Sequence, residues 1–500
     1  MINTILLNKI SPRQQALLTV LLLFLLSLFI RLPNLNRPVS KHYEFNTAVI
    51  LINIESWRQA GGGNQFHYTP VMNFQHAGDK FLPNNLFIDK GGNYVYLSFG
   101  PGWYMIPYFF YQLFHLPGDP LYLEILNLVF NLVSILLFFY FLEQLIPAGH
   151  TRKYFMVMAG CCFMLFSPGI LWFLGNGYVN TGMMLPFLLA MLLLLMPMLR
   201  DPARITAFRL GVLGLLVILL LYMDWFIFFL CFISGLAALF KWKQNKKYGW
   251  LLMTLLLSVF LGVALIFFQF ASHMGWEAVV NYWLKRFSRR GPNTSGSTFP
   301  KMISFFGLYL LTSYLPLLAL MLLRFIQIRR VKIFPDWSKS ETLFLRLFGA
   351  SLIFYNFLLF DWSADHEFAF IPWCLLLSLV GARFLGTLRN KRAAYLWLTL
   401  FLMGSVCQYY LINRPGKISR DGERYASFKQ FGESLKQISP EYKICANLEW
   451  NPMIEYYAGR NILDFPDSIT AKKMLDLWGI KKAVWLGQKA YKLRNIQRIR

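Results

Sequence analysis

Long apolar segments separated by short polar connections run from the beginning of the chain to about residue 412. Most of them are about as long as a helix must be to cross the ~30 Å hydrocarbon core of a bilayer. The segments lie at about residues 15–30, 122–143, 154–175, 180–199, 205–222, 225–240, 249–271, 303–323, 345–360, 368–386 and 393–412. This pattern predicts an all-α polytopic membrane protein with about eleven transmembrane helices.

A further apolar segment, residues 99–116, is predicted not to cross the membrane. Its 18 residues would extend about 27 Å as a helix, and Pro101, Gly102 and Pro107 interrupt it. Lys and Arg prefer short connections on the cytoplasmic side, and successive connections alternate between the two sides of the membrane. The basic connections all fall on one side only if residues 99–116 do not cross. The basic connections lie at residues 152–153, 200–209, 241–247, 324–332 and 383–392. The N-terminus is then inside, and residues 15–30 form a signal anchor.

Three segments are predicted on the outer side. Residues 32–121 form the first and include an amphipathic stretch, 47–57, expected to lie on the membrane surface. Residues 272–302 form the second. From residue 413 the chain becomes polar, and short apolar runs at 443–448 and 482–486 alternate with helical patterns. We therefore expect a transmembrane module over residues 1–412 and a small extracytoplasmic α/β domain over residues 413–500.

Composition supports the membrane assignment and removes other classes. Hydrophobic residues make up 56% of the chain and charged residues 15%, against roughly 25% charged in ordinary globular proteins. The formal net charge of +25 would suggest nucleic acid as a partner of a soluble protein. Here the basic connections account for it, so no nucleic-acid partner is expected. The six cysteines offer no pair outside the apolar segments, which excludes a disulfide scaffold.

Acidic residues gather near the outer ends of predicted helices. Glu44 follows the first span, and Asp224 occupies the tip of a hairpin. Another outer connection holds Asp361, Asp365, His366 and Glu367. Ionisable groups near membrane depth are costly, so this one-sided grouping suggests the rim of an outward-facing cavity. The alternatives are a helix cap for Glu44, a water-exposed hairpin tip for Asp224 and a solvated loop for the others.

A cationic patch occupies the second outer segment and departs from the positive-inside trend. It consists of Lys285, Arg286, Arg289 and Arg290. On a short helix these residues would form two basic rows suited to phosphate groups, or they could contact anionic headgroups. His366 beside two acids could also meet a phosphate. The sequence has no Gly-rich phosphate loop and no Gly-x-Ser-x-Gly, which argues against nucleotide chemistry.

Three short motifs and their order resemble a known superfamily. They are Tyr-Glu-Phe-Asn-Thr-Ala at 43–48, Ser-Phe-Gly-Pro-Gly-Trp-Tyr at 98–104 and Asp-His-Glu-Phe-Ala-Phe-Ile-Pro at 365–372. Over residues 1–412 the chain resembles the GT-C superfamily of integral-membrane glycosyltransferases, near the protein O-mannosyltransferases and the aminoarabinose transferase of lipid A. The resemblance implies a GT-C-like bundle with juxtamembrane helices on the outer face.

The resemblance also implies a reaction. A polyprenyl-phosphate sugar would be the donor, the displacement would invert the anomeric carbon, and Glu44 would take the proton of an acceptor hydroxyl on a glycan, lipid or protein. Lys285, Arg286, Arg289, Arg290 and His366 would stabilise the leaving phosphate, while Asp224, Asp361, Asp365 and Glu367 have no assigned role. The expected location is the outer face of a bacterial cytoplasmic membrane, among membrane lipids.

Two positions depart from the superfamily pattern. Tyr43 stands where relatives usually have an Asp directly before the Glu. Asn180 stands where relatives place a second Asp at the outer start of a span, which weakens the case for a bound divalent cation. Asp224 is a possible substitute for that carboxylate. The departures leave open an altered mechanism or an inactive protein.

Other functions are compatible with parts of the sequence. An O-antigen ligase or polymerase also uses prenyl-linked glycans and basic outer loops. A flippase for lipid-linked glycans would tend to have ionisable groups near the midplane and repeated halves, neither of which is evident here. A noncatalytic scaffold would use residues 413–500 to recruit partners.

Overall fold

The structure is a computed structural model, and it describes residues 11–39, 42–81, 87–290, 299–331, 335–413, 424–448, 451–489 and 492–499. Helices dominate it up to residue 413. They are α1 (Pro12–Arg31), α2 (Phe45–Gln59), α3 (Gly102–Leu113), α4 (Pro120–Leu145), α5 (Lys153–Phe166), α6 (Pro168–Leu171), α7 (Asn180–Arg200), α8 (Ala207–Leu221), α9 (Phe226–Trp242), α10 (Lys247–Met274), α11 (Trp276–Arg290), α12 (Phe299–Val331), α13 (Lys339–Leu358), α14 (Phe360–Asp365), α15 (Trp373–Gly386) and α16 (Lys391–Asn413).

Helices lie at all of the predicted spanning positions. Within the described residues, seven are long and apolar enough to cross a membrane, and a bent pair made of α5 and residues 168–176 would be an eighth. Three shorter apolar helices, α8, α9 and α15, occupy other predicted positions. The chain is therefore a multi-pass membrane protein, while the crossing number of eleven stays a prediction.

The segment predicted not to cross forms α3, which has 12 residues and contains Pro107. At 1.5 Å per residue such a helix is about 18 Å long, well short of the ~30 Å core of a bilayer. Its length agrees with the prediction that this apolar segment does not change sides.

The stretch predicted to lie on the membrane surface, residues 47–57, is more buried than an amphipathic surface helix would be. It forms α2 as expected, but residues 46–54 are all buried within the protein. Asn53 donates a hydrogen bond to the carbonyl of Val71, and Trp57 donates one to the carbonyl of Thr69. An amphipathic surface helix would expose its polar residues, which here include Asn53 and Ser56. Both are fully buried, so α2 is a core helix and not one exposed along a polar face.

The break between α5 and α6 has a local cause. Ser167 and Pro168 start a new turn, and residues 172–176 continue it as a π-helical turn, with a bend of 62° across the break. Arg31 at the end of α1 is fully buried and donates hydrogen bonds to the carbonyls of Leu171 and Ile170. These carbonyls lie where the helical ladder is disturbed, so the guanidinium replaces bonds that the break removes.

The chain divides into two compact units. The first, here the bundle unit, comprises Met1–Leu35, Ile125–Ala264 and Phe287–Ile412. The second, here the loop unit, comprises Asn36–Glu124, Leu265–Arg286 and Asn413–Arg500. The three segments predicted on the outer side thus fall largely in the loop unit.

A small α/β region with one four-stranded sheet lies in the C-terminal part of the loop unit. Its elements are α17 (Arg424–Ser434), β1 (Lys443–Ala446), α18 (Pro452–Ala458), β2 (Ile462–Asp464), α19 (Ser468–Leu477), β3 (Ala483–Lys489) and β4 (Lys492–Arg498). The strand order is β2-β1-β3-β4, with β1 parallel to both neighbours and β4 antiparallel to β3. Both predicted apolar runs are strands, which confirms the α/β character of this region.

Buried polar contacts join this α/β region to the first outer segment inside the loop unit. Arg460 pairs with Asp79 at 3.3 Å, and both side chains are almost completely buried. Arg460 also donates to the carbonyls of Ile438 and Ser439, and the backbone N–H of Asn461 donates to Asp79. A buried pair with its remaining donors satisfied favours one relative placement of these segments.

Candidate active site

Glu44 lies at the N-terminal end of α2 and is paired with a cation of its own segment. Nη2 of Arg37 is 2.6 Å from Oε1 and Nη1 is 3.2 Å from Oε2. Glu44 is only 3% exposed, so this carboxylate is removed from water and held by a two-pronged arginine contact. The contact fixes the orientation of the Glu44 carboxylate. The sequence reasoning overlooked Arg37, although it precedes Glu44 by only seven positions.

The backbone before Glu44 is unusual. His42 and Tyr43 have φ values of 25° and 62°, and residues other than Gly rarely adopt this backbone region. Nδ1 of His42 is 3.0 Å from Oδ1 of Asn413. Asp and Asn enter this region more readily than Tyr, so Tyr43 makes the turn more strained than an Asp or Asn at this position would. The turn directs the chain into α2 and thereby sets the position of Glu44.

A second carboxylate belongs to the same unit. Glu124, near the start of α4, accepts a hydrogen bond from the backbone N–H of Asn36 at 2.9 Å, next to Arg37. Glu124 is 4% exposed. The sequence reasoning did not single it out because it stands at the edge of an apolar segment. It ties the start of α4 to the residue that precedes Arg37.

The predicted cationic patch forms the second half of α11. Nζ of Lys285 and Cζ of Arg286 each lie 5.3 Å from the ring centre of Phe87, and Arg286 is 5.5 Å from the ring centre of Tyr282. The hydroxyls of Tyr282 and Ser98 are 3.1 Å apart. Aromatic rings thus hold the two cations in place. Arg289 and Arg290 belong to the same helix, but their side chains lie outside the described part of the structure.

A histidine–aspartate pair, absent from the predictions, lies in the loop unit. Nε2 of His273 is 2.8 Å from Oδ2 of Asp89. Burial raises the pKa of Asp89, but hydrogen bonds from His273 and Asn93 outweigh it and bring this pKa below its ordinary value. Among the described residues, no group of three or more His, Cys, Asp or Glu lies close enough together to hold a metal ion.

In the bundle unit, Asp224 is completely buried and is not a water-exposed hairpin tip. Its Oδ1 accepts from the hydroxyl of Tyr355 at 2.9 Å and from the backbone N–H of Phe226 at 2.8 Å. Its Oδ2 accepts from the side-chain amide of Asn180. The two positions that the sequence reasoning connected, Asn180 and Asp224, are therefore in direct contact.

The acids at 361–367 are mostly buried, which argues against the alternative of a solvated loop. Asp361 and Glu367 are 6% and 3% exposed, whereas Asp365 is exposed. One oxygen of Glu367 accepts from the hydroxyls of Thr312 and Ser313, both at 2.9 Å. Both hydroxyls belong to α12 and hold the Glu367 carboxylate in place, although Ser313 and Glu367 are 54 positions apart in sequence.

His366 is half-buried between aromatic rings. It stacks on Trp362 with ring centres 5.3 Å apart, and Phe368 meets it edge-on at 5.0 Å. Nδ1 is 2.8 Å from the carbonyl oxygen of Trp362, which can only accept, so Nδ1 carries the proton. Trp362 also packs against Tyr355 at 5.5 Å, and this connects His366 with the Asp224 cluster.

Each unit therefore contains its own group of site residues. The loop unit holds Glu44 with Arg37, and also Lys285 with Arg286. The bundle unit holds Asp224 and Glu367 in hydrogen-bonded clusters, with His366 connected to Asp224 through two aromatic rings. The partners Arg37, Tyr355, Thr312 and Ser313 were not predicted. Only Arg37 had a usable signal, its short distance in sequence from Glu44.

The sequence matches no known family profile, and no curated protein sequence is significantly similar to it. Solved structures are similar in fold. ArnT from Cupriavidus metallidurans bound to undecaprenyl phosphate has a TM-score of 0.64 and 11% identity, covering 93% of each chain. The archaeal oligosaccharyltransferase AglB from Archaeoglobus fulgidus, in complex with an inhibitory peptide and a dolichol-phosphate, has a TM-score of 0.52 and 12% identity, covering 94% of this chain and 69% of that one. Both neighbours are GT-C glycosyltransferases. The chain thus has the fold of the GT-C glycosyltransferases.

Proposed function

We propose that this protein is a membrane glycosyltransferase that moves a sugar from a polyprenyl-phosphate donor to an acceptor hydroxyl. The fold supports this proposal, because the similar solved structures were obtained with undecaprenyl phosphate or dolichol-phosphate bound. The observation that carries it is the Arg37–Glu44 pair. It is a buried, oriented carboxylate that follows a strained turn in the first outer segment.

The proposed reaction is a single inverting displacement. The acceptor oxygen forms a bond to the anomeric carbon while the bond from that carbon to the phosphate oxygen breaks. The electron pair of the broken bond stays on the lipid phosphate, and the acceptor proton moves to Glu44. A carboxylate has about four lone-pair sites, so two bonds from Arg37 do not by themselves exhaust its capacity to accept.

The leaving phosphate gains negative charge and requires positive charge nearby. Lys285 and Arg286 are suited to this role because the rings of Phe87 and Tyr282 hold them in place. Arg289, Arg290 and His366 stay further candidates on the basis of the sequence alone. The reaction would take place on the outer face of a bacterial cytoplasmic membrane, with a glycan, lipid or protein as acceptor.

The test uses the full-length protein in vesicles that contain a panel of radiolabelled prenyl-phosphate sugars. Release of prenyl phosphate together with a new glycosidic bond is the expected result. Glu44→Gln should reduce the rate about a hundredfold or more, since a positioned base contributes this much to proton transfer. Glu55→Gln makes the same change on the same helix and should retain most of the activity.

Two results would overturn parts of the proposal. Donor that crosses the vesicle membrane without forming a glycosidic bond would identify a transporter. A folded Glu44→Gln variant that transfers sugar at the wild-type rate would remove Glu44 from the mechanism while leaving the transferase activity in place.

A further inference from the structure

A cavity of about 660 Å³ lies in the bundle unit where α7 ends and α8 begins. Three arginines line it, Arg200 from the last turn of α7, Arg204 from the connection and Arg209 from the first turn of α8. The positive-inside rule predicts basic residues in such a connection. It does not predict that three of them converge on one cavity, here called the arginine pocket.

The arginine pocket carries an excess of positive charge. Its one acid, Asp201, lies 3.8 Å from Nε of Arg204, and its Oδ1 accepts the backbone N–H of Ala203. Arg209 donates to the carbonyl of Arg204 at 3.3 Å. The guanidinium of Arg200 has no hydrogen-bond or ion-pair partner in the described part of the chain. The positive end of the α8 dipole adds to the same potential.

Apart from Gln144, the rest of the pocket wall consists of apolar or aromatic side chains on helices long enough to cross a membrane. Leu194 and Pro197 come from α7, and Tyr140 comes from α4. The helices α7 and α4 are both candidate membrane spans. Tyr140 is 39% exposed, as expected for a side chain that faces lipid near a helix end. The pocket therefore combines a cationic mouth with an apolar wall. A soluble anion would contact only the cationic mouth, whereas an amphiphile would contact the cationic mouth and the apolar wall.

We propose that the arginine pocket binds the phosphate headgroup of an anionic phospholipid, with an acyl chain along the apolar wall. Basic pockets between transmembrane helices at one membrane face are suited to such headgroups. Arg200 and Arg209 approach from two helices, so the bound lipid links the ends of α7 and α8. This site is independent of the glycosyl-transfer chemistry proposed above.

The test measures lipid retained by the purified full-length protein in mild detergent, by native mass spectrometry. The protein is incubated with phosphatidylglycerol or with phosphatidylcholine. We expect selective retention of phosphatidylglycerol, and about a tenfold loss of that retention in the triple variant R200Q/R204Q/R209Q, since each basic residue near an anionic headgroup contributes appreciably. The control K243Q/K246Q/K247Q removes the same charge from the next basic connection and should change retention less than about twofold.

The remaining arms separate the possible explanations. The variant R200K/R204K/R209K keeps the charge and should retain the lipid, which distinguishes lost binding from misfolding of the glutamine variant. Equal losses in both glutamine variants would mean general electrostatic attraction and would overturn the pocket. Displacement of phosphatidylglycerol by inorganic phosphate at equal concentration would make the ligand a soluble phosphate and overturn the lipid assignment.

Discussion

The side-chain amide of Asn180 donates a hydrogen bond to the carboxylate of Asp224, with Nδ2 and Oδ2 2.5 Å apart. Tyr355 donates to the other oxygen of this fully buried carboxylate. An aspartate at position 180 would present an acceptor where Asp224 requires a donor. The amide at position 180 is thus matched to its contact with Asp224.

Replacing Asn180 by Asp should destabilise the protein by about 2 kcal/mol or more, because a second buried carboxylate would meet Asp224 at the oxygen to which the Asn180 amide now donates. Thermal unfolding in detergent measures the effect. Added Mg²⁺ should recover part of the lost stability in Asn180→Asp, since the paired carboxylates supply hard oxygen ligands. Asn180→Leu removes the same hydrogen bond without adding charge and should not respond to Mg²⁺. Wild-type stability of Asn180→Asp in the absence of metal would contradict this account.

Replacing Arg37 by Gln should destabilise the protein by about 3 kcal/mol, because the buried Glu44 carboxylate would lose both of its bonds to the guanidinium. Chemical unfolding monitored by tryptophan fluorescence measures the change. The double variant Arg37→Gln/Glu44→Gln should lose less than the sum of the single variants.

The matched control for this prediction is Arg13→Gln, which breaks the exposed Arg13–Glu143 pair. That pair should contribute much less to stability than the Arg37–Glu44 pair, because water screens it. Equal effects at Arg37 and Arg13 would show that the burial of Glu44 has no energetic consequence.

The stability of the protein should rise with pH in the alkaline range because of Lys443 in β1. Burial lowers the pKa of Lys443 to about 8, and its ammonium group donates to the carbonyl of Lys80. The unfolded chain binds this proton up to the ordinary lysine pKa of about 10.4. Between these two values the unfolded state holds more protons, so the free energy of unfolding increases with pH. Below pH ~8 the buried charge carries its full cost.

Chemical unfolding from neutral pH to pH ~10 tests this prediction, with Lys443→Met as the comparison. The variant should lack this contribution to the pH dependence and should be more stable than the wild type at neutral pH. Identical pH profiles for the two proteins would remove Lys443 as the cause.

Gly175 should tolerate no side chain, because a Cβ there would lie 2.5 Å from Cδ of Arg31. Gly175→Ala should cost about 1–3 kcal/mol by displacing the arginine that bonds the carbonyls at the helix break. Gly211 in α8 has open space around the corresponding position, and Gly211→Ala should be neutral or stabilising by up to ~1 kcal/mol. Thermal unfolding compares the two, and equal effects would contradict the crowding at Gly175.

Several parts of the fold could be predicted because their signals are local. The short helix α3 follows from the prolines and the limited length of its apolar segment, and β1 and β3 follow from two short apolar runs. Residues 47–57 do not expose the polar face that an amphipathic surface helix would have. The hydrophobic pattern of a helix shows which residues can be buried, but it does not show that Asn53 has a buried carbonyl to bond.

The site was predicted in its residue types but not in its contacts. Glu44 and Asp224 were identified as acids at the outer ends of helices, yet the groups that hold them come from other parts of the chain. Tyr355 is 131 positions from Asp224, and no periodicity connects them. Lys285 and Arg286 were recognised as a patch, whereas the aromatic support from Phe87 depended on the folded arrangement of the loop unit.

The amino-acid order alone determined that this is a multi-pass helical membrane protein with an α/β region near its end, because transfer of apolar segments into a bilayer depends on each segment by itself. Tertiary structure decided which charges are buried, which donors meet them and where a spanning helix breaks. These outcomes depend on groups far apart in the chain, such as Arg31 and the carbonyl of Leu171, whose meeting is a property of packing and not of any single segment.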